Sequence, residues 1–225
     1  MGQAYTEFIG DILKNAEKGE PIYSEDLARA VEKKYGISKR EAAANTAVSL
    51  KRIMDRNTIP DLRNYQKGIY YRTVATPFGE IGINKDRLIK DRYMKSDSGY
   101  YGGYSLMYQM GLTTQMPAHW TVVTNKAGKY SRKDNRLEII LTPPHTEITA
   151  ENKEYLKVLD ILDLMQKAPV DVKAPYKIVL VYIRDNHLEF EKLLAYATLY
   201  YNQNTVNQLA KVAVEGGIYS ESARG

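Results

Sequence analysis

Apolar residues recur with a helical period three times within the first 56 positions. Tyr5, Phe8, Ile9, Ile12, Leu13 and Ala16 fall at i, i+3, i+4, i+7, i+8 and i+11, and Gly19 follows as a stop, so the spacing predicts an amphipathic helix. Ser24 is placed to cap a second helix, with Glu25 and Asp26 suited to the positive end of its dipole. Its buried stripe reads Leu27, Ala30, Val31 and Tyr35, ending at Gly36. Ser38-Lys39-Arg40-Glu41 has the S-x-x-E spacing of a capping box, in which hydroxyl and carboxylate each take up a backbone N–H left unpaired in the first turn. A third helix is predicted from there, and only Gly36-Ile37-Ser38 separates it from the second, the short connection of a helix-turn-helix.

In the third helix Ala43, Ala47, Leu50 and Met54 share one face and predict the buried side. Glu41, Asn45, Ser49, Arg52 and Arg56 form an opposite polar stripe of residue types that read base edges and grip phosphates. After Asn57, the segments Asp61 to Tyr65 and Ile69 to Val74 read as two strands around Gln66-Lys67-Gly68, a wing with Arg63 and Lys67 near its tip. Thr76-Pro77-Phe78-Gly79 breaks the periodicity and marks a linker, so domains of residues 1–80 and 81–225 are expected.

Beyond the linker, Asn84 is placed to cap a short helix to about Tyr93. Ser98 to Tyr104 reads as a flexible, Gly- and Tyr-rich loop, and a further short helix should end at Gly111. Trp120 to Thr124 and Leu137 to Leu141 predict an antiparallel pair joined by a long basic hairpin. Thr149 is expected to cap a long helix carrying Leu156, Leu159, Leu162 and Met165, with Asp160 and Asp163 on its flank. Lys177 to Arg184 (KIVLVYIR) fits strand or helix equally, and helices over Leu188 to Tyr201 and about Thr205 to Val214 close the chain. The fold class expected is α+β: an N-terminal winged helix-turn-helix, then a mixed α/β domain with a small antiparallel sheet.

Composition narrows the chemistry. The 225 residues include no cysteine, which removes disulfides, thiolate metal sites and cysteine nucleophiles and suits a reducing compartment. No 18-residue apolar run is present and acids interrupt the opening residues, so neither membrane span nor signal peptide is expected, and the location expected is cytoplasmic. The net charge of +5 is unevenly spread. Between Lys33 and Arg72 ten basic residues face Glu41, Asp55 and Asp61, the footprint of a surface that meets phosphate. Ser38, Lys39, Arg40, Asn45, Thr46, Ser49, Arg52, Arg56, Arg63 and Lys67 are therefore the expected contacts to double-stranded DNA. Lys126, Lys129, Arg132, Lys133 and Arg136 form a second basic cluster beside Tyr130, a candidate partner-binding patch for nucleic acid or an acidic protein.

Motifs for catalysis are sparse. His119, His145 and His187 have no second histidine at ligand spacing, and Gly99 to Gly103 lacks the G-K-[ST] ending of a phosphate cradle. Glu151-Asn152-Lys153 has the E-x-K spacing of nuclease sites without an upstream P-D in that domain. No G-x-S-x-G is present. A non-enzymatic protein with no metal or cofactor is expected; the alternative is a nuclease or nucleotide-modifying enzyme guided to DNA by the first domain.

The segment Gly102 to Asn125, GGYSLMYQMGLTTQMPAHWTVVTN, resembles the signature of the AbiEi-type antitoxin family and its winged-helix regulator relatives. The resemblance runs back through QKGIYYR (Gln66 to Arg72) and forward to LDILDLM (Leu159 to Met165), and its core is Gly111 to Pro117. Here RNTIPDLRNYQKG between third helix and wing turn is longer than the family's tight turn. The resemblance implies a toxin–antitoxin or phage-defence setting, in which the winged helix represses its own operon by binding an operator. It also implies that the C-terminal domain counters a nucleotidyltransferase-type toxin. A stand-alone regulator with the same domains is the near alternative.

Overall fold

A computed structural model describes residues 2–217, which form two compact units that divide the chain between Leu88 and Ile89. Thr76-Pro77-Phe78-Gly79 is therefore not a linker. It is the tight turn of a hairpin inside the first unit, in which Val74–Thr76 pairs with Gly79–Ile81, closed by the Thr76 hydroxyl donating to the Gly79 carbonyl.

In the first unit, α1 (Gly2–Asn15), α2 (Ser24–Tyr35) and α3 (Lys39–Asp55) enclose a core of Ile9, Leu13, Leu27, Val31, Ala42, Leu50, Ile53, Ile59 and Leu62. Each such aliphatic side chain contributes roughly 1.5–3 kcal/mol by leaving water. A three-stranded sheet accompanies the helices, in the order β1 (Ile22–Tyr23), β3 (Ile69–Arg72), β2 (Leu62–Gln66), both pairings antiparallel. The connection between α2 and α3 turns through Gly36, whose φ of 65° suits a residue without a Cβ and lets its N–H close onto the Glu32 carbonyl. Ser24 does not cap α2. Tyr23 takes that position without a side-chain bond, while the Ser24 N–H donates to Gly68 O, so backbone pairing with the β2–β3 turn replaces the hydroxyl. Ser38 does cap α3, its hydroxyl accepting from the Glu41 N–H at 3.3 Å.

The sheet is tied to α1 by one side chain. Arg72 donates to Asp61 at 2.8 Å and also to the carbonyls of Lys14 and Ala16, so the orphan carbonyls near the end of α1 find a donor. That hydrogen bond is the main reason the Asp61 carboxyl is held below the usual carboxylate range. The chain continues into β4 (Val74–Thr76) and β5 (Gly79–Ile81), then α4 (Lys85–Ile89), where the Asn84 carboxamide oxygen accepts the Arg87 N–H as a cap.

The second unit begins in a π-helical turn at Lys90–Met94 and a 3₁₀ turn at Lys95–Asp97. Its sheet has the order β6 (Gly99–Gly102), β7 (Trp120–Thr124), β9 (Ile139–Thr142), β8 (Arg132–Asp134). Three expectations change here. The Gly- and Tyr-rich segment is a strand, because β6 runs so close to its neighbours that a Cβ on Gly99 would lie 2.4 Å from the Tyr93 carbonyl oxygen and 2.8 Å from that of Val123. The strands β7 and β9 are parallel, with Val122 opposite Leu141, instead of antiparallel. The antiparallel partner of β9 is β8, inside the expected hairpin loop, because Asp134 accepts the N–H groups of Arg136 and Leu137 and starts a tight turn.

Five helices complete this unit: α5 (Gly103–Gln109), α6 (Lys153–Leu164), α7 (Pro175–Asp185), α8 (Phe190–Tyr200) and α9 (Gln203–Glu215). The ambiguous Lys177 to Arg184 is helical, with Pro175 in the first turn and Val179, Leu180 and Ile183 buried at helical spacing. Thr149 lies in the turn before α6, exchanging bonds with Asn152, which takes the cap position. Leu156 of α6 packs with Tyr100, Val123 and Ile148, while Leu159 and Leu162 join the cluster with Leu180, Leu193, Leu209 and Val212.

Candidate nucleic-acid interface

The third helix is oriented by its crossings with α1 and α2. Ala42, Thr46, Ser49, Leu50 and Ile53 are buried, so the buried arc centres near Ile53 and is turned by roughly a quarter of a turn from the Ala43–Ala47–Met54 face expected from sequence. Thr46 and Ser49 thereby leave the set of DNA contacts. Ser49 is 1% exposed and its hydroxyl oxygen accepts from Thr6 on α1 at 3.1 Å, and Thr46 is likewise 1% exposed. Both are small enough to fit into the packed side of the helix, and polarity alone misplaced them.

The solvent-facing arc instead carries Arg40, Ala44, Ala47, Val48, Lys51 and Asp55, with Lys39, Glu41, Arg52 and Arg56 also exposed and Asn45 half-buried at the flank. Val48, 48% exposed, was missed because valine reads as core; the signal that finds it is its place, by 100° steps, opposite Ala42 and Ile53. Ser38 is exposed with its hydroxyl engaged as the helix cap.

The two cations expected near the tip of a wing part ways. Lys67 is exposed in the β2–β3 turn, next to Gly68, whose φ of 80° brings the turn against Ser24. Arg63 is spent inside the unit. Its Nε and Nη2 donate to the Glu80 carboxylate at 3.1 and 2.5 Å, and Nη1 donates to the carbonyls of Pro60 and Leu62. It fastens β2 to β5, so its expected phosphate contact is replaced by a structural one.

In the second unit the basic cluster is built on β8, the outer strand of its sheet. Lys126, Lys129, Arg132, Lys133 and Arg136 are all exposed. Lys126 donates to the Arg92 carbonyl at 2.5 Å, which brings in a cation that sequence spacing did not connect. The segment Gly111 to Pro117 is anchored by its threonines. Thr113 and Thr114 donate to one carboxylate oxygen of Asp171 at 2.8 to 3.1 Å, and these bonds hold that carboxyl below its ordinary range.

One polar cluster is enclosed. Asp160 on α6 accepts from Tyr201 at 2.6 Å and from Tyr100 at 2.8 Å. Burial pushes its carboxyl above the usual range, opposed by those two hydrogen bonds and by nearby His145, and burial raises both tyrosine hydroxyls as well. Asp163, one turn on, accepts from Lys167, Asn202 and Thr205. Asp160 thus joins α6 to β6 and to the end of α8, and Asp163 joins α6 to the start of α9. Among the described residues, no group of three or more His, Asp or Glu is placed to hold a metal ion, and no helix is long and apolar enough to cross a membrane.

No family model matches the chain, and no curated protein does. Among solved structures, the crystal structure of the RV2827C protein from Mycobacterium tuberculosis is similar at 13% sequence identity, covering 95% of this chain and 78% of that one with a TM-score of 0.47.

Proposed function

We propose that the chain is a sequence-specific double-stranded DNA-binding transcriptional regulator whose first unit works as a winged helix. The observation that carries this reading is the outer arc of α3, where Arg40 and Lys51 lie to either side, along the axis, of the small apolar side chains Ala44, Ala47 and Val48, with Asp55 one turn beyond Lys51. A narrow, cation-edged helix face fits a major groove: methyl groups meet the thymine methyl, and guanidinium or ammonium groups meet guanine or phosphate. Asn45 and Arg52 serve the flank of the same face, and Lys39, Arg56 and Lys67 hold phosphate. The β2–β3 hairpin supplies the wing.

Selection from a randomised duplex pool, followed by fluorescence anisotropy on a recovered sequence, tests the reading. A single preferred site is expected, with log K falling against log salt by about 0.9 per phosphate engaged. Recovery of no enriched sequence and a flat salt response would refute it. The resemblance of Gly102 to Asn125 to AbiEi-type antitoxins supports an added role for the second unit, binding and countering a nucleotidyltransferase-type toxin. Co-expression with the product of an adjacent gene tests that role, growth rescue being the expected result.

A further inference from the structure

Sequence alone leaves the basic cluster of the second unit as a run of loop charges, but the fold gathers it around one ring. Tyr93, 2% exposed, donates from its hydroxyl to Asp134 of β8 at 3.2 Å. Arg92 lies over the Tyr93 ring at 5.1 Å and 3.9 Å from the same carboxylate, and Lys126 bonds to the Arg92 carbonyl. Arg132 shares the strand with Asp134 at the two-residue spacing that puts both on one face of the sheet, and Lys133 points to the other. Asp134 is also bound by two backbone N–H groups, from Arg136 and Leu137. Residues 126–138 carry five cations against Asp134 and Glu138, a balance of +3, and Arg92 stands beside Asp91. Tyr130, 73% exposed with the Lys129 ammonium 5.6 Å from its ring centre, stands beside them.

Tyrosine and backbone donors take up the Asp134 carboxylate, and Lys126, Lys129, Arg132 and Lys133 face solvent, so the edge keeps a positive excess. We infer that the β8 edge of the second unit, with Arg92, Lys126, Lys129, Tyr130, Arg132 and Lys133, is a second nucleic-acid contact that grips the phosphate backbone of duplex DNA without reading sequence. Lysine, arginine and tyrosine are phosphate-contacting types, and at this sheet edge Arg132 and Lys133 on β8 are joined by Lys126, Lys129 and Tyr130 from the segment that leads into it and by Arg92 through Lys126. The inference rests on the DNA-binding reading above but concerns a different surface with a different chemistry.

The test uses the full chain and a labelled 30-base-pair duplex of arbitrary sequence, titrated across a salt series. Arg132→Glu/Lys133→Glu is expected to weaken binding by about tenfold or more and to lower the salt slope by about 0.9 for each phosphate lost. Lys173→Glu/Lys177→Glu, the same charge change on and before α7, is expected to leave both unchanged. Lys129→Glu, in the loop outside the ladder, keeps the test open if the strand variant does not fold, and should lower the slope by about 0.9. Equal losses for the β8 and α7 doubles, or no change in the β8 double or in Lys129→Glu, would overturn the inference while leaving the first unit's reading intact. Displacement by polyglutamate as effective as by unlabelled duplex at equal charge would overturn it in favour of an acidic protein partner. Absence of duplex binding by the unaltered chain would remove both proposals.

Discussion

Each unit joins its elements through a carboxylate, Asp61 in the first and Asp160 in the second, but the partners differ in kind. Asp61 faces the Arg72 guanidinium, which favours its charged form and holds its titration low. Asp160 faces two tyrosine hydroxyls, which hydrogen-bond without supplying charge, so burial dominates and its titration moves up. Similar architectural duty therefore leaves opposite electrostatic signatures. A cation at a junction makes the fold depend on an ionised acid, whereas hydroxyls at a junction tolerate a protonated one.

The largest effects should come from the cores that keep the units separate. Leu159→Ala is expected to remove about 2–5 kcal/mol from the second unit, and Leu50→Ala a similar amount from the first. Each should lower its own unfolding transition in calorimetry and leave the other in place. One shared transition displaced alike by both changes would break the division into units. Gly99→Ala should cost the second unit about 3 kcal/mol, since the added Cβ meets backbone carbonyls that cannot yield.

Next come the junctions themselves. Asp61→Asn should cost the first unit about 1.5–3 kcal/mol by taking a charged acceptor from Arg72. The folded carboxyl of Asp61 titrates below its unfolded value of ~4, so its contribution is complete above that value and is lost as pH falls through the lower, folded one. Asp160 runs the other way: its contribution is complete below the unfolded value and is lost as pH rises through the raised, folded one. Melting followed from pH 7 to pH 3 should show Asp61→Asn flattening a loss on acidification in the first unit, and Asp160→Asn flattening an opposite slope in the second. Slopes of the same sign from the two residues would contradict the comparison. Ser38→Ala is smaller, about 1 kcal/mol, because only the α3 cap is removed.

What could be read from sequence follows from how local each signal is. The capping serine before α3, the Gly36 turn and the Asn84 cap lie within a few residues of what they stabilise, and the structure places them as their spacing indicates. The rotation of α3 about its axis is not local. It is set by packing against α1 and α2, which buries Thr46 and Ser49, the latter against Thr6 of α1, so a rule that sends polar residues outward misassigns them. Strand direction fails for the same reason. The residue types of β7 and β9 do not distinguish parallel from antiparallel pairing, and the Asp134 turn that sets β8 beside β9 lies in a segment that reads as part of a hairpin loop. Arg63 and Glu80 lie 17 residues apart, and no periodicity connects them. The cations of the second cluster were legible, and the Tyr93–Asp134 bond that organises them was not.

The central claim, that the outer arc of α3 reads DNA, is tested most directly by exchanging one side chain at its centre and one at its buried side. Val48→Glu leaves the core untouched and puts a carboxylate where a groove would close, whereas Ser49→Ala removes a residue that faces α1. Anisotropy with the duplex recovered by selection should show Val48→Glu weakening binding by about 100-fold, on the order of the 1–3 kcal/mol carried by one base contact. Ser49→Ala should bind with unchanged affinity and base preference. Strong binding by Val48→Glu together with altered base preference in Ser49→Ala would contradict the account.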